Sequence, residues 1–183
     1  MTTNLDKQRS ETSNTTVPRA SDQSGEIFGP QEIRPENREV TDTSRNDDDY
    51  CVSIATMPPG VVVPLHSHPD RETFYILSGE MQGYDGNAGA WRTLRAGAVF
   101  DVTDGVRHAW RNASNAEASV LFVTTNRMAR FLRESSKLKV DGTAGEEARA
   151  FGELVQRYGY WCAGPEENAA IGLTVDWGAA AAD

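Results

Sequence analysis

The chain has 183 residues, a mass of 20.0 kDa, 38% hydrophobic residues and a formal net charge of −9, which is room for one domain with tails. The acid lies in the flanks, with net charges of −5 over residues 1–50, 0 over 51–130 and −4 over 131–183. No basic patch is present to meet a phosphate backbone, and no run approaches the ~20 apolar residues of a membrane helix, so nucleic-acid binding and membrane spanning are both excluded from the expected functions.

Residues 1–48 read as an N-terminal arm. The apolar residues of its first half are Met1, Leu5, Val17 and Ala20, set among Thr, Ser, Asn and Gln. Such a segment cannot bury enough surface to offset its ordering entropy, so the arm is expected to be mostly disordered. Ile27, Phe28 and Ile33 are the candidate anchors of a strand near 26–34.

From Tyr50 the pattern becomes that of short strands. Tyr50–Met57 ends at Pro58-Pro59-Gly60, and Val61–Leu65, Glu72–Leu77, Trp91–Leu94, Val99–Val102, Arg107–Arg111 and Ser119–Thr125 follow. Gly83 and Asp85-Gly86-Asn87 read as turns. Roughly eight short strands with turn signals between them predict an all-β sandwich or barrel, and residues 49–126 are assigned to it.

Residues 127–183 are expected to form a helical extension. Met128, Phe131 and Leu132 share one helical face, with Asn126 as the expected cap. Thr143-Ala-Gly-Glu146 matches a capping box, after which Ala148, Phe151, Leu154, Val155 and Tyr158 recur at helical spacing up to Gly159. The low-complexity tail from Gly178 is expected to fray. A barrel of this size is marginal alone. The second helix is therefore expected to cover part of it, and a homodimer interface more.

The chemistry centres on the three histidines, His66, His68 and His108. His66 and His68 are two residues apart, so an extended strand points both to one side. Glu72 follows after Pro69-Asp70-Arg71, a turn that can bring its carboxylate to the same point. Three imidazoles and a carboxylate suit one divalent transition metal, with Fe, Mn, Ni, Co, Cu and Zn all open. Four protein ligands on an octahedral ion leave positions for substrate or dioxygen. Cys51 and Cys162 lie away from the cluster in sequence and read as unreactive, buried, free thiols. The N-terminus shows no secretory leader, so a cytoplasmic location is expected, and the Asn14-Thr-Thr and Asn112-Ala-Ser sequons read as coincidence.

These spacings resemble the cupin family. Its first motif is met by Gly60-Val-Val-Val-Pro-Leu-His66-Ser-His68-Pro-Asp-Arg-Glu72-Thr-Phe-Tyr-Ile-Leu-Ser-Gly79 without departure. Its second is met by Gly97-Ala-Val-Phe-Asp-Val-Thr103-Asp-Gly105-Val-Arg-His108-Ala-Trp-Arg-Asn112, where Thr103 stands in place of a proline. That departure removes a pre-set turn but touches no ligand, and Gly105 still permits a left-handed bend. The resemblance covers about residues 50–126. It implies a small double-stranded β-helix, or jelly-roll, barrel with His66, His68, Glu72 and His108 as metal ligands. The helix ending Gln156-Arg-Tyr-Gly159 is similar to the tail of single-domain cupins of the quercetin-dioxygenase-like kind.

Strand parity suggests the pocket. If Glu72 points into the barrel, so do Phe74 and Ile76, and if His108 does, so does Trp110. Phe100 and Phe122 complete the candidate substrate-binding set, whose members either line a pocket or fill the barrel. Arg107 and Arg111 alternate outward, and Arg71 is expected to face solvent. The expected function is that of a mononuclear metal-binding dioxygenase acting on an apolar or phenolic small molecule, with Glu72 either a bound ligand or the catalytic base. Two alternatives stay open. One is a redox-neutral isomerase, cyclase or lyase, which would be fully active with a redox-inert metal. The other is a non-catalytic binding module, which would bind ligand and release no product.

Overall fold

The computed structural model describes residues 24–26, 35–41, 49–103, 105–138 and 144–175. The expected anchors Ile27, Phe28 and Ile33, the cap residue Thr143 and the tail from Gly178 lie outside the described residues.

Two antiparallel sheets make the molecule. One has six strands in the order β1 (Ser24–Glu26), β2 (Glu36–Glu39), β3 (Tyr50–Met57), β10 (Ala118–Thr125), β5 (Glu72–Ser78), β8 (Val99–Val102). The other has five in the order β11 (Trp161–Cys162), β4 (Val62–Ser67), β9 (His108–Arg111), β6 (Glu80–Asp85), β7 (Ala90–Arg95). From β3 to β6 and again from β7 to β11 consecutive strands alternate between the sheets, as in a jelly roll, while β1–β3 and the β6–β7 hairpin each stay within one sheet. The central strands β3 and β10 alternate between buried and partly exposed residues along their full paired length, from Ala118 opposite Met57 to Thr125 opposite Tyr50. That period of two places Ala55, Met57, Val120 and Phe122 in the interior, where they meet Val63, Met81 and Trp110 of the facing sheet.

Part of the arm is ordered as strand, contrary to its composition. β2 pairs with β3 from Glu36 opposite Thr56 to Glu39 opposite Ser53, and β1 pairs with β2. What holds β2 is ladder hydrogen bonding to the free edge of β3, with Pro35 and Asn37 buried and Glu39 ion-paired to Arg133 at 2.6 Å. Apolar content does not report such pairing.

Gly83, expected in a turn, sits inside β6 opposite Trp110. A Cβ there would come within 3.1 Å of both Phe100 and Trp110, so the glycine marks a close approach of backbone to two rings. The turn of the β6–β7 hairpin instead lies at residues 86–89.

Helix α1 (Asn126–Ser136) is capped one residue before the expected Asn126, because the Thr125 hydroxyl accepts the Met128 N–H. Helix α2 (Ala144–Arg157) buries Phe151, Leu154 and Val155 and ends at Tyr158-Gly159, where Gly159 has φ 67°. Both helices join the barrel's own core through Met128, Phe131, Leu132 and Leu154. A second, smaller core lies on the outer face of the five-stranded sheet. There β11 and helix α3 (Pro165–Ala170) bring Ala163 and Leu173 against Leu65 and Ala109. Arg107 stacks over Trp161 and Arg111 over Trp91, each at 4.1 Å. The buried Asn168 ties this cover down: its Oδ1 accepts the Leu65 N–H, and its Nδ2 donates to the Ala163 and Gly164 carbonyls. No helix among the described residues is long and apolar enough to cross a membrane.

Candidate metal centre

His66 lies on β4 and His108 opens β9, and the two are register partners, which brings their ring centroids 4.1 Å apart, tilted by 55°. His68 lies just past the end of β4, 5.5 Å from His66 and 5.0 Å from His108 between ring centroids. All three are buried, and their ligand atoms lie within 4.8 Å of one another. Glu72, the first residue of β5, crosses from the other sheet and is buried with them. Its Oε2 is 3.1 Å from His108 Nε2 and its Oε1 is 3.4 Å from His68 Nε2. The turn at Thr103–Gly105 is made without proline: Gly105 has φ 75°, and its N–H donates to the His68 carbonyl at 2.8 Å.

Each histidine commits its Nδ1 to a main-chain carbonyl. His66 Nδ1 meets Pro64 O at 2.7 Å, His68 Nδ1 meets Asp70 O at 2.8 Å and His108 Nδ1 meets Val106 O at 2.9 Å. A carbonyl only accepts, so each Nδ1 carries the proton and each neutral ring turns an Nε2 lone pair inward. His68 and His108 then aim lone pairs at the Glu72 carboxylate, which is repulsive unless a cation lies between. The His68 Nε2 has no hydrogen-bond partner of acceptable geometry. These residues therefore fit a divalent metal, and the three histidines could hold one.

The charges agree. Burial, followed by the neighbouring His108 and His68, pushes the pKa of His66 well below its ordinary value. Burial alone would raise the Glu72 carboxyl, but the adjacent His68 and His108 reverse this and hold it well below the usual carboxylate range. His68 is raised: burial works against it, and Glu72 and Asp70 outweigh burial.

The centre opens on a narrow cavity of about 40 Å³, with His66 and Glu72 at its polar end. A buried water needs about 10–15 Å³ of such space, so the cavity admits only a few non-hydrogen atoms. Phe74, Trp110 and Phe122 line it, joined by Met57, Val63 and Met81, with Pro35 and Leu132 among its walls. Phe74 stacks on Phe122 at 4.8 Å and leans on Trp110 at 4.3 Å. The Trp110 indole N–H is buried without a partner. Ile76 and Phe100 point inward as parity predicts, but both are packed in the core outside this lining. Phe100 is turned against Gly83 and the edge of Trp110. Arg71 is exposed and pairs with Asp101 at 2.7 Å. Arg107 and Arg111 face outward, where the C-terminal segment meets them. Asn112 bonds locally around its turn, to Met57 O, Ala116 O and Ser114.

Sequence reasoning missed the buried Asp70 and Tyr160 and the half-buried Arg127, a cluster beside His68, because their separation in the chain hides their contact. It also missed that β11 makes Cys162 the register partner of His66. The thiol is no member of the histidine cluster, and burial pushes its pKa up to about 12.

Several known proteins are similar. The polyketide cyclase RemF from Streptomyces resistomycificus shares the fold, with 19% identity over 60% of this chain and 78% of that one and a TM-score of 0.52. A predicted oxalate decarboxylase from Thermotoga maritima aligns at 25% identity over 58% of this chain and 96% of its own, with a TM-score of 0.49. No curated protein matches the chain by sequence. Residues 53–124 match the family described as the cupin domain. With that match, the two-sheet jelly roll and the buried histidine triad, the barrel of this chain is a cupin domain.

Proposed function

We propose that the protein is a mononuclear metal-dependent dioxygenase acting on a small apolar or phenolic molecule. The observation that carries this is the set of three inward Nε2 atoms, each fixed by a carbonyl at Nδ1, opening on an apolar cavity. His66, His68, Glu72 and His108 would hold the metal. When bound, a redox-active divalent metal supplies Lewis acidity toward a substrate oxygen and electron exchange with dioxygen.

The chain's own residues supply the rest. Glu72, whose carboxyl the adjacent His68 and His108 hold below the usual carboxylate range, would accept at Oε1 or Oε2 the proton of an enol or phenol hydroxyl. Phe74, Trp110 and Phe122 exclude water from the reacting edge and hold an apolar ring or chain against the centre. The small volume selects a small substrate, or the reacting edge of a larger one. Both atoms of dioxygen enter the product, so no external reductant is needed.

The test is metal analysis of the untagged protein beside His66→Ala and His108→Ala, followed by oxygen uptake with flavonols, diketones and catechols. About one equivalent of redox-active metal, lost in both variants, with substrate-dependent oxygen uptake, is expected. Full turnover with zinc and no oxygen uptake would replace this reading with a redox-neutral one. Absence of metal after reconstitution would leave a barrel that only binds.

A further inference from the structure

His66 and His108 receive their orienting carbonyls from Pro64 and Val106, two residues earlier in the chain, and the two histidines face each other across the β4–β9 ladder. His68 has no such support. It lies beyond β4, and its carbonyl partner, Asp70 O, belongs to the turn before β5. Something else must hold that turn if His68 is to keep its direction.

The Asp70 carboxylate is buried, 5% exposed, and is the turn's attachment point. Its Oδ1 accepts from the Thr125 hydroxyl at the end of β10. Its Oδ2 accepts from Arg127 Nη1 at 3.1 Å, in the first turn of α1, and from the Tyr160 hydroxyl at 2.5 Å, between α2 and β11. Arg127 is itself placed, donating to the Tyr158 carbonyl and lying over the Tyr160 ring at 5.2 Å. Tyr160 is 8% exposed, and its ring stands 5.3 Å from that of His68. Other ties on the turn are the hydrogen bonds from Gly105 N to His68 O and from Thr124 Oγ1 to Arg71 O, and the exposed ion pair of Arg71 with Asp101.

We propose that Tyr160 and Arg127 are positioning residues for His68, acting through Asp70, so that the C-terminal extension is part of the metal centre rather than a cover on the barrel. This rests on the metal-binding reading above. A buried carboxylate with three donors has one low-energy placement, and its main chain carries the acceptor that aims the ligand. Outer partners of this kind set ligand orientation, and their loss weakens metal binding about 10–100-fold.

The experiment uses the full, untagged chain loaded with Cu(II), read by competitive titration and by the electron paramagnetic resonance spectrum. Tyr160→Phe and Asp70→Asn are compared with Tyr158→Phe, whose hydroxyl donates to Glu134 in the same extension and not to Asp70. The expected result is a fold preserved by circular dichroism, about one equivalent of metal at saturation, affinity lowered about 10–100-fold and altered copper hyperfine splitting. Both should appear in Tyr160→Phe and Asp70→Asn, and neither in Tyr158→Phe. Wild-type affinity and spectrum in Tyr160→Phe, or an equal change in Tyr158→Phe, would overturn the proposal. If Asp70→Asn does not fold, Tyr160→Phe decides alone. Wild-type protein that binds no copper, or His66→Ala that binds it as well as wild type, overturns the metal reading itself and this proposal with it.

Discussion

Each of the three histidines gives one ring nitrogen to a carbonyl oxygen, and that leaves the other nitrogen as the one that could hold a metal. Glu72 completes the set from the opposite sheet. Replacing it with Gln keeps the shape but places an amide where the proposed function needs a carboxylate to accept a proton. Glu72→Gln is expected to lower kcat about 10²–10⁴-fold in metal-saturated protein, measured by oxygen uptake with the best substrate. The thiols make a separate prediction. Burial raises Cys162 from an ordinary 9.0 to about 12, and burial also raises Cys51. The folded protein thus keeps the Cys162 proton in a window where the unfolded chain has lost it. The contribution to stability is complete below pH 9 and is lost as pH rises through about 12. Cys51, which is buried, should not react with a thiol-specific reagent at pH 8 in the native state, Cys162, which is only half-buried contrary to expectation, should react slowly, and both should react in urea; rapid native labelling of Cys51 would contradict its burial. At this scale the meeting of His66, His68, Glu72 and His108 was legible, because His-x-His and a glutamate past a short turn fix direction through the strand period. Asp70 was not, because its hydroxyl and guanidinium partners come from Thr125, Arg127 and Tyr160, far along the chain.

Among the elements, strands with their own alternation were legible and strands held by a neighbour were not. β3 and β10 carry a period of two that the sequence displays. β2 is Glu-Asn-Arg-Glu and owes its extension to the edge of β3, and the two-residue β11 owes its own to β4. Gly83 shows the same limit, since a glycine between polar residues reads as a turn until Phe100 and Trp110 are seen against it. Gly83→Ala should destabilise the barrel by about 1–3 kcal/mol, because its neighbours are two packed rings. Urea unfolding checks this, and an unchanged midpoint would show that the rings yield freely.

For the molecule as a whole, the C-terminal segment does two jobs. Helices α1 and α2 extend the barrel's core, and the segment from Trp161 to Leu173 closes the outer face of the five-stranded sheet. Asn168 bridges this cover to β4 with three hydrogen bonds while fully buried. Asn168→Ala leaves the Leu65 N–H and the Ala163 carbonyl without their side-chain partner, while Gly164 O keeps the N–H of residue 168, and should cost about 2–4 kcal/mol, read as a lowered Tm. Deleting residues 164–183 should lower Tm further and increase binding of a hydrophobic dye as Leu65 and Ala109 become exposed. Equal stability of the truncated and full chains would show the cover to be dispensable.

The sequence by itself determined the strand-rich middle, the jelly-roll class and the residues that meet at the centre, because strand period and motif spacing are local and survive being read one residue after another. The tertiary structure alone decided which inward residues border space and which fill it. Phe74, Trp110 and Phe122 line the cavity while Ile76 and Phe100 are packed behind it, although parity treats all five alike. It also decided that the extension reaches the histidine cluster, where Tyr160 bonds Asp70 and stands beside His68. Both depend on distances between segments far apart in the chain, and buried polar groups find their partners by proximity in space.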